Sequence, residues 1–276
     1  MKYLQNLHTH TTYCDGRNTA EEMVQKALSL GFTSIGFSGH APMPKSIPAD
    51  YAMKAEDVPK YKAEILALRE KYADSIEIFL GAEFDAYSEM DLSGLDYVIG
   101  SVHYIKRPDG HIVDFDLSAE VVKGIINDVY GGCGMQFAKE YYEEVARLPE
   151  RIVPDIVGHF DIVTKTAEMN PFIDMESKEY KSYALEALHA VSEKCRLFEV
   201  NTGAIPRGYR TAPYPAPFIL KEMKTLGLDL VISSDCHFAH SLDAHFDMAA
   251  ELIKSAGFDA VYVLTKDGFK GQKIDG

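Results

Sequence analysis

The chain has 276 residues, with 28 basic and 42 acidic side chains, a net charge of −14, and 46% hydrophobic and 25% charged residues. This composition can bury a large core, and its acidity argues against a surface for long nucleic acids, which needs clustered lysine and arginine. No apolar run approaches the ~20 residues of a membrane span, the 4 cysteines lack CxxC spacing, and no signal-peptide core precedes the first strand-like run, so a reduced, cytoplasmic protein with one domain over residues 1–276 is expected.

In the first apolar run, LHTHTTYCDG, His8 and His10 stand two apart, so on a strand both imidazoles leave the same face and can bind one ion. A helix is predicted from Thr19 to Leu30, with Thr19 as its cap and Glu21 and Glu22 in the first turn. TSIGFSGH closes on His40, a helix follows from Val58 to Tyr72, IEIFLGAEF closes around Glu83, and DYVIGSVH ends on His103. Residues 104–155 read as a crossover enlarged by a lid or rim segment, with helices near Ala119 to Val129 and Met135 to Leu148 around a glycine-rich break at 131–134. DIVGHFD presents His159, and a helix from Ser177 to Cys195 leads to LFEVN, which ends on Asn201. After a helix from Pro217 to Leu226, VISSDCH repeats the i, i+2 geometry with Asp235 and His237; a helix from Ser241 to Ala256 and a strand-like AVYVL follow.

Strands alternating with helices of this length indicate a parallel sheet. Ligand-type residues at the C-terminal end of one strand after another point to a closed (β/α) barrel, because the edge strands of an open sheet lie too far apart to share a site. One buried histidine is more often a satisfied core residue than a ligand, but six strand ends closing on such residues favour a metal centre, whose mixed donors suit zinc, iron or manganese better than calcium. Bound cations would also attract an anionic substrate to an acidic protein. Cys14 and Cys236 lie beside ligands without the Cys-x5-Arg loop of thiol phosphatases, so packing is the simpler role. His189 sits in a helical run, and His111, His240 and His245 lack a strand-end setting. Asp85 and Asp161 follow ligands by two and could orient an imidazole or receive a substrate ammonium group. Asp114-Phe115-Asp116 matches the DxD of phosphoaspartate-forming phosphatases only in its acids, since Ser118 takes the fifth position.

Taken in order, HTHTTYCDG, GH, GAEFD, SVH, GHFD, EVNTG and SDCH resemble the polymerase and histidinol phosphatase superfamily, and in particular its histidinol-phosphatase branch, from His8 to about His237. The resemblance implies a distorted (β/α)7 TIM-like barrel with three divalent ions, zinc, iron or manganese. His8, His10, Glu83 and Asp235 would hold the first; Glu83 would bridge to a second held by His103 and His159; Asp15, His40 and His237 would hold the third. It implies hydrolysis of L-histidinol phosphate in histidine biosynthesis by in-line attack of a metal-bridging hydroxide, with Glu83, Asp235 and His237 at the chemical centre. Asn201, Arg207 and Arg210 are the substrate-binding candidates. GAIPRGYR departs from the branch's more compact pattern, which leaves the phosphate-binding arginine open between Arg207 and Arg210. A phosphoesterase or nuclease acting on small nucleotides is the alternative on the same scaffold; a purely metal-binding module fits the complete ligand set less well. The partner expected is a small phosphate monoester, and the oligomeric state is open.

Overall fold

A computed structural model describes residues 3–274. In chain order the barrel and its helices are β1 (Gln5–Asn6), α1 (Ala20–Ser29), β2 (Ser34–Phe37), α2 (Val58–Lys71), β3 (Glu77–Asp85) and β4 (Tyr97–Ser101). A hairpin, β5 (Tyr104–Lys106) and β6 (Ile112–Asp114), precedes α3 (Ala119–Tyr130) and α4 (Gly134–Arg151). Then come β7 (Ile156–Val157), α5 (Lys178–Ser192), β8 (Leu197–Asn201), α6 (Pro217–Thr225), β9 (Asp229–Ser233) and α7 (Phe246–Ser255), and a second hairpin, β10 (Ala260–Thr265) and β11 (Gly268–Lys273), ends the fold.

Seven parallel strands run in the order β1-β2-β3-β4-β7-β8-β9. Beyond the last residues of β1 and β9 the ring closes through His10 N to Cys236 O at 3.0 Å and Cys236 N to His8 O at 3.1 Å. This is a distorted TIM-like barrel, with β1 and β7 reduced to two residues each. Strand alternation sorts its side chains. Ile78 and Leu80 of β3, Phe198 and Val200 of β8, and Leu230 and Ile232 of β9 face outward into the core under the helices. Inward, Phe79, Tyr97, Ile99, Ile156, Leu197 and Val231 form an apolar floor. One turn of alternation further along each strand the inward positions become polar, with Glu83 on β3, Ser101 on β4, Glu199 on β8 and Ser233 on β9. The barrel is thus filled in layers, and the polar layers lie toward the C-terminal ends where such folds place their chemistry.

The floor depends on two glycines. A Cβ on Gly36 or Gly81 would come within 2.4 Å or 2.5 Å of the Tyr97 side chain, whose hydroxyl donates to the Leu7 carbonyl across the barrel.

Helix starts follow local chemistry. The Thr19 hydroxyl accepts from Glu22 N at 3.3 Å while Glu22 Oε2 accepts from Thr19 N at 2.8 Å, a reciprocal cap that contributes roughly 1 kcal/mol. Ser177 caps α5 by accepting from Tyr180 N.

Three expectations change. The strand-like AVYVL is β10, which pairs antiparallel with β11 instead of joining the barrel, because β1 and β9 already close the ring. Its Leu264 packs into the floor cluster and exchanges backbone bonds with the Gln5 side chain, so the hairpin stoppers the N-terminal end. The helix expected from Ser241 begins only at Phe246, because the Leu242 carbonyl is claimed by the side chains of Asn6 and Ser234. The 104–155 segment contains, besides its two helices, the β5–β6 hairpin turned at Pro108-Asp109-Gly110, a turn signal that the helical reading passed over.

Candidate metal centre

All nine ligand-type side chains named from the sequence converge at the C-terminal mouth of the barrel. His8 and His10 follow β1, His40 follows β2, Glu83 lies within β3, His103 follows β4, His159 follows β7, and Asp235 and His237 follow β9. Asp15, from the loop after β1, reaches back to within 3.1 Å of His237 Nε2 and 3.7 Å of His40 Nε2. Their donor atoms form four overlapping groups: His8, His10 and Asp235; His8, Glu83 and His159; His40, Glu83 and His103; and His10, Asp15, His40 and His237.

Glu83 stands at the middle. Its Oε2 lies 2.9 Å from His40 Nδ1 and 3.1 Å from His8 Nε2, and its Oε1 2.9 Å from His159 Nε2 and 3.5 Å from His103 Nε2. Ser101 Oγ donates to Oε1 at 2.6 Å. Burial alone would raise the Glu83 carboxyl, but His8, His40 and His103 hold it well below the usual carboxylate range. Asp235 is likewise held low against its burial by Arg207 and His8. It adopts a left-handed backbone with φ of 44°, uncommon outside glycine, which swings its carboxylate back over the mouth. Gly203 permits that approach, since a Cβ there would meet the Ser234 carbonyl at 2.6 Å and Asp235 Cβ at 2.9 Å.

The donor set fits divalent cations. His8 Nε2, Glu83 Oε2 and Asp15 Oδ1 are buried polar atoms without hydrogen-bond partners, all inside the groups above. Leaving such an atom unsatisfied costs about 1–3 kcal/mol, and a cation shared among them removes that cost. Imidazoles and carboxylates of this mix suit zinc, iron or manganese.

One side chain that orients a ligand escaped the sequence reading. Glu199, fully buried on β8, accepts from His8 Nδ1 at 2.7 Å, from His159 N at 2.8 Å, from Asn201 Nδ2 at 2.8 Å and from the Ser233 hydroxyl. Its bond fixes the proton of His8 on Nδ1 and turns the Nε2 lone pair to the centre. Against burial, the facing His8 keeps the Glu199 carboxyl below its ordinary value. The available signal was its place two residues before Asn201 on the inward face of LFEVN. Asp85 plays a related part for His103, accepting from its backbone N at 2.8 Å and lying 3.3 Å from Nδ1. Asp161 is buried outside the cavity, accepting from Ala216 N at 3.0 Å.

Above the ligands lies a cavity of about 300 Å³, the size of a small-molecule site. Of the two candidate arginines Arg207 lines it, with Nη2 2.9 Å from Asp235 Oδ2, Nη1 3.3 Å from His237 Nδ1, and Nε donating to Gly203 O at 2.9 Å. Arg210 does not line it; its guanidinium binds the Thr164 hydroxyl and covers the Tyr214 ring at 4.5 Å. Asn201 is also out of reach, because it is fully buried with its amide between Glu199 and Gly203 N, so its place is structural where substrate contact was expected. Lys165, Arg17, Tyr51, Asp114 and Asp116, none of them assigned to the site from sequence, complete the polar wall. Burial and the neighbouring Asp116 raise the Asp114 carboxyl. Burial and Asp15 push the Cys14 thiol up to about 11, and burial pushes Cys236 up to about 12, so both stay protonated and neither is a nucleophile at neutral pH. His189 pairs with Glu222 at the surface. Among the described residues no helix is long and apolar enough to cross a membrane.

The PHP domain family model matches residues 6–203. A protein of Deinococcus radiodurans named "Probable histidinol-phosphatase" is 29% identical over 266 residues, covering 93% of this chain and 95% of the relative. The histidinol-phosphatase of Bacillus subtilis is 28% identical over 255 residues, covering 84% of this chain and 92% of the relative. In structure, the chain is similar to a histidinol phosphate phosphatase from Lactococcus lactis crystallised with zinc, L-histidinol and phosphate, with a TM-score of 0.66 and 21% identity over 96% of this chain and 98% of that one.

Proposed function

The chain belongs to the PHP domain family, and on that premise we propose that it is a metal-dependent phosphomonoesterase that hydrolyses L-histidinol phosphate to L-histidinol and phosphate, a step of histidine biosynthesis. The observation that carries the reading is the convergence of nine donor residues, five of them with orphaned buried atoms, beneath a cavity that Arg207 also enters. The names of the full-length relatives support the substrate.

In this reading three ions, of zinc, iron or manganese, would be held by His8, His10, Glu83 and Asp235, by Glu83, His103 and His159, and by Asp15, His40 and His237. When bound, they acidify a coordinated water and offset negative charge on the phosphoryl oxygens. The protein's part is positional. Glu83 and Asp235 enter the site as carboxylates at neutral pH, and Glu199 and Asp85 hold the rings of His8 and His103. Arg207 has five N–H donors, of which the contacts to Gly203, Asp235 and His237 leave some free, so its fork can take phosphate oxygens at the edge of the centre. Lys165 supplies a second cation on the same wall.

The test is phosphate release from L-histidinol phosphate, p-nitrophenyl phosphate and a short oligonucleotide, before and after chelation. The proposal expects histidinol phosphate to have the highest kcat/KM and chelation to abolish turnover. A preference for the nucleotide would instead select the alternative phosphoesterase reading.

A further inference from the structure

The cavity wall is divided in charge, and of its two hairpin acids one is paired while the other, Asp114, stands outside any ion pair among the described residues. Asp114 and Asp116 stand two apart at the end of the β5–β6 hairpin, so both reach the cavity while Val113 and Phe115 between and beside them are buried. Phe115 packs edge-on to Phe137 and Tyr141 of α4, and Phe115 N donates to His103 O at 3.3 Å, which ties the acids to the strand end that carries His103. Lys165 Nζ lies 2.7 Å from Asp116 Oδ1 and thus neutralises it. No ion pair among the described residues engages Asp114, which is half-buried in the wall. The other acids near the mouth are committed: Asp85 to His103 N and Tyr87 N, and Asp161 outside the cavity.

We propose that Asp114 receives the ammonium group of the substrate and so sets a preference for amino-alcohol phosphates over plain phosphate monoesters. The inference rests on the phosphatase reading above. L-Histidinol phosphate carries its ammonium on the carbon next to the one bearing the phosphate ester. A substrate whose phosphate lies at Arg207 and the ligand cluster therefore presents a cation to the same small cavity in which Asp114 is the wall acid outside any ion pair among the described residues. Asp116, already bound to Lys165, braces the hairpin.

The experiment compares kcat/KM for L-histidinol phosphate with that for its des-amino analogue, imidazolylpropyl phosphate, in the metal-loaded wild type and in Asp114→Asn, Asp114→Ala and Asp116→Asn. The wild type is expected to prefer the amino substrate. That preference should fall by roughly 10²-fold in both Asp114 variants, as for loss of a charged hydrogen bond, and mostly through KM. A wild-type preference retained in the Asp114 variants overturns the inference, as does its loss in Asp116→Asn alone. Equal turnover of both substrates by the wild type overturns it while leaving the phosphatase reading intact; turnover of neither overturns that reading itself.

Discussion

Glu199 offers the sharpest test of how the centre is organised, because it belongs to none of the four ligand groups yet holds His8 and His159, which do. Replacing it by glutamine keeps volume and shape but turns one acceptor oxygen into a donor. Each oxygen faces two donors: Oε1 takes His8 Nδ1 and the Ser233 hydroxyl, and Oε2 takes His159 N and Asn201 Nδ2. The backbone N–H of His159 cannot reverse, and Asn201 cannot flip without losing Gly203 N, which its Oδ1 accepts at 2.8 Å. The new NH2 therefore settles on the Oε1 side, where Ser233 can rotate and His8 can move its proton to Nε2. That tautomer aims an N–H, and no lone pair, at the centre. Loss of such an orienting carboxylate weakens metal binding about 10- to 100-fold, or about 1.4–2.7 kcal/mol. Competition against a chelator, with elemental analysis of the purified variant, measures it, and kcat/KM should fall in parallel at limiting metal and recover when metal is supplied in excess. Wild-type metal affinity in Glu199→Gln would refute the argument that this carboxylate sets the His8 tautomer.

Glu83→Gln removes the charge that five imidazoles converge on, so elemental analysis should show fewer ions per chain and the rate should drop by ~10³ or more; full metal content with near-normal turnover would remove Glu83 from the central position. Arg207→Ala should lower kcat/KM for histidinol phosphate by roughly 10²-fold and leave metal content unchanged, with Arg210→Ala closer to wild type in steady-state kinetics, since of the two only Arg207 lines the cavity. Burial would lower the His103 pKa, yet Glu83 and Asp85 raise it from 6.5 to about 9, and the pKa of His8 is also raised well above its ordinary value. These protons are held by the metal-free fold. Their stabilisation is present below pH 6.5 and is lost as pH rises toward 9, while metal affinity rises over the same window as the protons leave. Thermal melts of the chelated protein and calorimetric titrations with metal in buffers of different ionisation enthalpy should show these opposite slopes; a metal affinity independent of pH would contradict them.

What the sequence determined by itself was everything that depends on short periods. The i, i+2 pairs His8/His10 and Asp235/His237 leave one face of a strand wherever that strand sits, and the Thr19–Glu22 cap forms from four consecutive residues. Ligand-type residues at successive strand ends then required a closed ring, and the barrel brings all nine side chains into overlapping groups. Tertiary structure decided the matters that turn on a loop's path or on a distant partner. Arg207 and Arg210 are three residues apart in one turn, and only the folded turn, with Arg207 Nε on Gly203 O and Arg210 on Thr164, sends the first into the cavity. Glu199 reads as one acid in an apolar strand until His8, 191 positions away, is placed against it. AVYVL has the composition of a barrel strand, and it became a stopper because the bonds between His8, His10 and Cys236 had already closed the ring. Side-chain alternation is local and survives any fold; the pairing of residues far apart in the chain exists only once the barrel has closed.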